Sequence, residues 1–255
     1  MRVVLNESDV YRELAPPAWA RGAIACFWIR RGDGSSVRVL PDGCTDIVWR
    51  AGGGAVVAGP DSEARGSSTR PGDLVLGARL LPGAGGAALG IPLAELRDLR
   101  VPVDALGFDP RAELDGALDA DAAAATLAST TLGLVAAAPP DRAVQAAVIR
   151  LLDPGRRVDE LAESLGFSER QLRRRFLAAV GYGPKTLQRV LRLRRFLAGV
   201  GAWTAGGPGG GSPDRSDAGL DGLARAATDA GYADQAHLSR ECRALTGLTP
   251  GQLAR

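Results

Sequence analysis

The sequence holds a single histidine, His237, in 255 residues. A metal role for it would need further ligands nearby and none is evident, while residues 1–140 contain no histidine at all, which excludes a histidine-based metalloenzyme there. Cysteine is almost as scarce. Cys26, Cys44 and Cys242 are odd in number, far apart and form no C-x-x-C pair, so neither a disulfide framework nor a zinc site is indicated, and a reducing cytoplasm fits. No apolar run approaches the roughly 18 residues needed to span a bilayer. The start, MRVVLNESDV, lacks the basic-then-apolar pattern of a secretory signal, so export and membrane insertion are not expected. Charge and hydrophobicity, at 24% and 45%, are ordinary for a globular protein and exclude wholesale disorder.

What is present is unevenly placed. Residues 1–140 carry 13 Lys+Arg against 17 Asp+Glu, net −4, whereas 141–255 carry 18 against 12, net +6. Between 170 and 195 there are nine basic residues and no acidic one. A surface that faces phosphates has this character, whereas a merely solvated helix face usually mixes both signs.

The length favours two domains. The first eighty residues read as β-rich: Ile24–Ile29, Val37–Leu40, Ile47–Trp49, Ala55–Val57 and Leu74–Leu76 are short apolar runs separated by Gly, Pro, Asp and Ser clusters. A barrel- or sandwich-like domain is expected. From Pro92 helices are expected, because Leu93, Leu96 and Leu99 recur at threes and 112–136 is rich in Ala and Leu. Pro139-Pro140 then punctuates the chain and Asp141 is a candidate N-cap. The fold class expected is α+β, with a β-rich part and its following helices over 1–138 and an all-α part over 141–255.

The all-α part contains an internal repeat. Val158, Leu161, Ala162 and Leu165 form one helical face before Gly166-Phe167; Leu223, Ala226, Ala227 and Ala230 do the same before Gly231-Tyr232. Leu172 and Phe176 then correspond to Leu238 and Cys242, 66 residues on, so the second turn is longer by one residue. Gly181, Pro184, Leu187 and Arg189 match Gly247, Pro250, Leu253 and Arg255 in a shared G-x-x-P-x-x-L-x-R. Each unit is a helix, a glycine turn and a second helix, the plan of a helix-turn-helix. The first spans 141–183, a basic linker helix 184–199, a Gly/Pro/Ser-rich flexible loop 200–218 and the second unit 219–255.

These residues resemble the AraC/XylS family of bacterial transcription regulators. The likeness rests on the two-unit plan, the glycine-aromatic turns, Asp234-Gln-Ala-His-Leu-Ser-Arg240 and the repeated G-x-x-P. Ahead of it, Leu40-Pro-Asp-Gly-Cys-Thr-Asp46 is similar to an uncharacterised β-rich domain found before such regions. The resemblance implies a DNA-binding regulator, not an enzyme, with no cofactor. It implies base contacts from Arg170, Arg173 and Arg174 in the first unit and from Gln235, His237, Ser239 and Arg240 in the second. Arg can pair with guanine O6 and N7, and Gln with adenine N6 and N7. Ser168, Arg175, Lys185, Thr186, Arg189 and Arg192 are assigned to phosphates, which position a protein without specifying sequence; Arg194 and Arg195 go to phosphates or to the surface. Cys242 stands where the first unit has Phe176, a departure expected to loosen the second unit.

Candidate effector residues in the β-rich part are Trp28, Cys44, Asp46 and Trp49. Against these stand ordinary readings: Asp42-Gly43 as a turn, Cys44 as a small buried residue and the tryptophans as core. The expected partners are double-stranded promoter DNA and, as further candidates, RNA polymerase, a small-molecule effector and a second copy of the chain; no membrane is expected. The alternative reading is a protein-interaction or anti-regulator module that has lost DNA binding.

Overall fold

The computed structural model describes residues 11–117, 119–202 and 220–254. Strands occupy the N-terminal part: β1 (Tyr11–Leu14), β2 (Ile24–Arg31), β3 (Ser36–Val39), β4 (Thr45–Arg50), β5 (Gly54–Ala58), β6 (Arg65–Ser68), β7 (Leu74–Leu80) and β8 (Arg100–Pro102). Helices follow: α1 (Gly85–Leu89), α2 (Arg111–Asp115), α3 (Ala120–Ala137), α4 (Arg142–Arg150), α5 (Val158–Ser164), α6 (Glu169–Ala179), α7 (Pro184–Gly199), α8 (Leu220–Ala230), α9 (Gln235–Thr246) and α10 (Pro250–Leu253). The fold is α+β.

Six strands pair antiparallel in the order β1-β2-β7-β4-β5-β8, and β3 pairs with β6 in a separate ribbon. The alternation in β4 sets the sheet's two faces: Thr45, Ile47 and Trp49 are buried, while Asp46, Val48 and Arg50 lie on the other side. Ile47 and Trp49 join Phe27, Ile29, Val57, Leu76 and Leu80 in a core closed by α1, α2 and α3. Across the opposite face the register aligns Trp28, Gly77, Val48, Val56 and Pro102 in one row. A Cβ on Gly77 would lie 2.0 Å from Trp28 Cε2, so only glycine lets the indole lie across β7.

Three strands gave no signal in the sequence. β1, β6 and β8 are three or four residues long, and β1 and β8 form the sheet's two edges, where little apolar alternation is needed. The three-residue spacing of Leu93, Leu96 and Leu99 marks a single 3₁₀ turn at Leu93–Glu95, not an α-helix. That spacing suits three residues per turn. Leu93 and Leu96 are buried, whereas Leu99 is 48% exposed and leads into β8.

One helix departs from the expectation that nothing is apolar enough to span a bilayer. By length and composition α3 would qualify, with a mean hydropathy of 1.3 over 18 residues. Its Ala123, Leu127, Thr131 and Val135 form a buried stripe against the sheet's core, which accounts for 22% of that window.

A second core gathers α4–α9 around α7, which buries Leu187, Val190, Leu191, Leu193, Phe196 and Leu197. The repeat is visible in backbone form. Gly166 and Gly231 end α5 and α8 at φ +73° and +88°, and Gly181 and Gly247 end α6 and α9 at +90° and +73°. All four sit in the left-handed region, where a side chain is strained, which explains why glycine recurs at each turn. Ser168 caps α6 through a capping box with Gln171, and Asp234 caps α9 by accepting from the His237 amide at 2.6 Å. The extra residue of the second turn, Ala233, lies between Tyr232 and that cap. Of the flexible loop expected over 200–218, residues 203–218 lie outside the described residues, and residues 200–202 close α7.

The strand-bearing part packs on both second helices. Gly86 of α1 meets the end of α6, where a Cβ would stand 2.3 Å from the Ala178 carbonyl oxygen. Gly181 rests on Pro60 and Leu93. At the other unit, the Ala64 amide donates to the Leu245 carbonyl at 2.8 Å and Arg38 donates to the Thr246 carbonyl. Gly86→Ala is expected to force α1 and α6 apart and lower stability by about 1–3 kcal/mol, the usual cost of overpacking. Urea denaturation checks this; an unchanged midpoint would show that the contact yields freely.

Candidate nucleic-acid interface

Burial on α6 alternates with helical period. Leu172, Phe176 and Ala179 point into the core, which leaves Arg170, Arg173 and Arg174 exposed on the outer side. None of the three makes a side-chain hydrogen bond or ion pair among the described residues. On α9, Leu238, Cys242 and Leu245 are buried and Gln235 and Arg240 are exposed, again unpaired among the described residues, with Ser239 half-buried beside them. Cys242 fills its core position with no exposure, as Phe176 does in the first unit.

His237 is engaged within the protein. Its Nδ1 accepts from the Ala233 amide at 3.4 Å, and its Nε2 lies 3.5 Å from Glu241 Oε1 and 3.4 Å from Arg192 Nη1. Its ring meets Tyr232 edge-on at 5.3 Å. Its side chain is 28% exposed, so the imidazole organises the turn while offering only an edge to a ligand.

The six residues assigned to phosphates divide. Lys185 is exposed and Thr186 half-buried in the first turn of α7, and Ser168 is exposed at the α6 N-cap. Arg175, Arg189 and Arg192 are committed elsewhere. Arg175 pairs with Asp141 at 2.6 Å and lies 4.6 Å over the Phe167 ring. Arg189 and Arg192 both reach Glu241, at 3.0 and 3.2 Å, and Arg192 also lies 5.5 Å from the Tyr232 ring centre. Glu241 occupies the repeat position of Arg175, 66 residues on. The second helix of each pair, α6 or α9, is thus fixed to the helix ahead of that pair, α4 or α7, by a polar brace at the same repeat position, with the charges reversed. A sequence repeat registers the shared position but gives no sign of which partner awaits each charge.

Asp141 both caps α4, accepting from Ala143 and Val144, and holds Arg175. Burial alone would raise its pKa; the Arg175 hydrogen bond and the two amides outweigh that and hold the carboxyl below its ordinary value. A depressed pKa contributes stability above the unfolded value, about 3.9, that disappears as pH falls through the folded one. Asp141→Asn should therefore remove the part of the acid-side loss of stability that begins below about pH 4. Thermal melts between neutral pH and pH 2 report it, and parallel curves for variant and parent would exclude the brace.

The candidate effector residues do not form one pocket. Trp28 and Asp46 share the outer sheet face, the indole donating to Asp46 Oδ1 at 3.2 Å. Arg79 joins them, 3.2 Å from Asp46 and 3.8 Å from Asp42. Trp49 lies on the opposite face and donates to Asp115 at 2.9 Å, a core position. Cys44 is buried beside Asp42, which accepts from its amide at 2.8 Å. Burial, and then the Asp42 charge, push the Cys44 thiol well above its usual pKa, and burial drives Cys26 and Cys242 to about 12. All three thiols should resist iodoacetamide at pH 8 until the protein is denatured; rapid native labelling of Cys44, read by mass spectrometry, would contradict this.

Among the described residues no three His, Cys, Asp or Glu side chains cluster as a metal site. Residues 12–102, the span of the strands, match a family described as a domain of unknown function (DUF6597). No curated protein and no solved structure matches the chain.

Proposed function

We propose that the chain is a cytoplasmic, sequence-specific DNA-binding transcription regulator of the AraC/XylS type. The helix pairs α5–α6 and α8–α9 act as two helix-turn-helix units. The observation that carries this reading is the repeated geometry. Two second helices, each entered through a left-handed glycine, each keep an exposed row of polar heads that are unpaired among the described residues: Arg170, Arg173 and Arg174 on one, Gln235 and Arg240 on the other. Laid into successive major grooves about 34 Å apart, those rows read base edges, while Ser168, Lys185 and Thr186 meet phosphates.

The strand-bearing part serves as the barrel- or sandwich-like effector or dimerisation module. Trp28, Asp46 and Arg79 on its outer face are the residues best placed to meet a small molecule, and RNA polymerase and a second copy of the chain are the proposed protein partners. Any movement of this part would reach both reading helices, because it touches the Gly181 turn through Pro60 and the end of α9 through Ala64. The free arginine row favours DNA over a purely protein-binding module, since bidentate Arg–guanine pairs contribute about 1–3 kcal/mol of discrimination each. Arg173→Ala and Arg174→Ala should each weaken binding to a selected target by roughly tenfold or more and to random duplex much less. Fluorescence anisotropy on both duplexes measures this; equal losses on the two would exclude base reading.

A further inference from the structure

Beside the exposed face of α6 lies a groove of about 620 Å³ whose walls come from both parts of the chain. The helical part supplies Arg170, Arg173, Lys185 and Thr186, and the strand-bearing part supplies Arg97; Glu169 is the acidic group among them. Four cations against one carboxylate, at the mouth of α7, make an anion site. Gly183 caps α7 with no side-chain hydrogen bond, so the positive end of the helix dipole adds to the same field.

Arg97 is held at this place rather than drifting there. It precedes Asp98, which has φ +61° and is the one non-glycine residue in the left-handed region among the described residues. Asp98 is kept so by the amide and hydroxyl of Ser62, at 2.7 and 2.8 Å. Arg97 Nε forms a long ion pair with the Asp98 carboxylate at 3.8 Å, which anchors the side chain while leaving it 47% exposed. The backbone around it is close-packed: a Cβ on Gly59 would stand 1.8 Å from the Leu96 carbonyl oxygen, and Gly181 at the end of α6 rests on Leu93.

We propose that Arg97 is a DNA-phosphate contact, so that the strand-bearing part is itself a portion of the DNA-binding surface and not only its regulator. A helix in a major groove about 12 Å wide has a sugar–phosphate backbone on either side. With α6 inserted, the cationic groove is the wall that meets one of those backbones, and Arg97 and Lys185 close on it from opposite sides. The inference rests on the DNA-binding reading above and adds a residue that the helical repeat does not contain.

The test uses the full chain on a selected duplex and on random duplex across a salt series. Arg97→Ala should weaken both to the same extent and make the slope of log K against log[salt] shallower by about 0.9, the signature of one lost phosphate contact. Arg97→Lys, which keeps the charge, should restore the slope. Arg21→Ala, an exposed arginine on the same part away from the groove, should leave it unchanged. If the parent protein shows salt-dependent binding and Arg97→Ala matches it in affinity and slope, the inference is wrong while the DNA-binding reading stands. If the parent shows no salt-dependent binding, both fall together. Inorganic pyrophosphate in a thermal-shift assay separates a free phosphate ligand from the duplex: stabilisation that Arg97→Ala abolishes, without any change in DNA affinity, would overturn the duplex as the source of the phosphate.

Discussion

The helical part depends on α7. A helix that buries Leu187, Val190, Leu191, Leu193, Phe196 and Leu197 has apolar neighbours on more than one side, yet five of its sixteen residues are cations. A cation carried toward packed neighbours is costly unless something nearby accepts from it. Here each of the four arginines finds an acceptor, and the acceptors lie on three different parts of the chain. Arg189 and Arg192 meet Glu241 of α9, Arg194 donates to the Asp42 carbonyl at 3.2 Å, and Arg195 donates to the Leu152 carbonyl after α4. The cations that make α7 look like a phosphate-facing surface in the sequence therefore tie together the second unit, the strand-bearing part and the first unit. Lys185, at the open end of the helix, is the one left outward among the described residues.

A second constraint acts from outside the helical core. The segment around Pro60 to Arg65 touches both units, with Pro60 against Gly181 and Ala64 hydrogen-bonded to Leu245. The same segment is fixed to the sheet's edge by Asp61, which holds Arg100 at 2.6 Å and Arg65 at 2.9 Å. The spacing of α6 and α9 is consequently set twice, once by α7 between them and once by this segment across their ends. On the proposed reading, such rigidity favours meeting two grooves of one duplex, because less ordering remains to be done on binding.

Much of this was legible in the residues. Short apolar runs between Gly, Pro, Asp and Ser clusters located β2, β3, β4, β5 and β7, and the 65- and 66-residue spacing located both helix pairs and their four turn glycines, because a left-handed backbone and a periodic core leave direct marks in sequence. What stayed hidden involves partners distant along the chain. The exposed rows on α6 and α9 follow from period alone, but the loss of Arg175, Arg189 and Arg192 to Asp141 and Glu241 does not, since spacing gives the face of a helix and not what it meets. Gly77 beneath Trp28 and Gly86 beneath Ala178 look like any loop or turn glycine until the close approach is seen. Arg97 carries no signal at all: it is one arginine among several in a segment whose three-residue leucine spacing suggested a helix, and only the fold brings it beside Arg173.

The central claim, that two helices of one chain read one duplex together, is tested most directly by hydroxyl-radical footprinting of the full protein on a duplex selected from genomic fragments. Two protected patches whose centres lie about one helical turn apart, roughly 10 base pairs, are predicted. A single patch that persists at saturating protein, or uniform protection independent of sequence, would contradict the account.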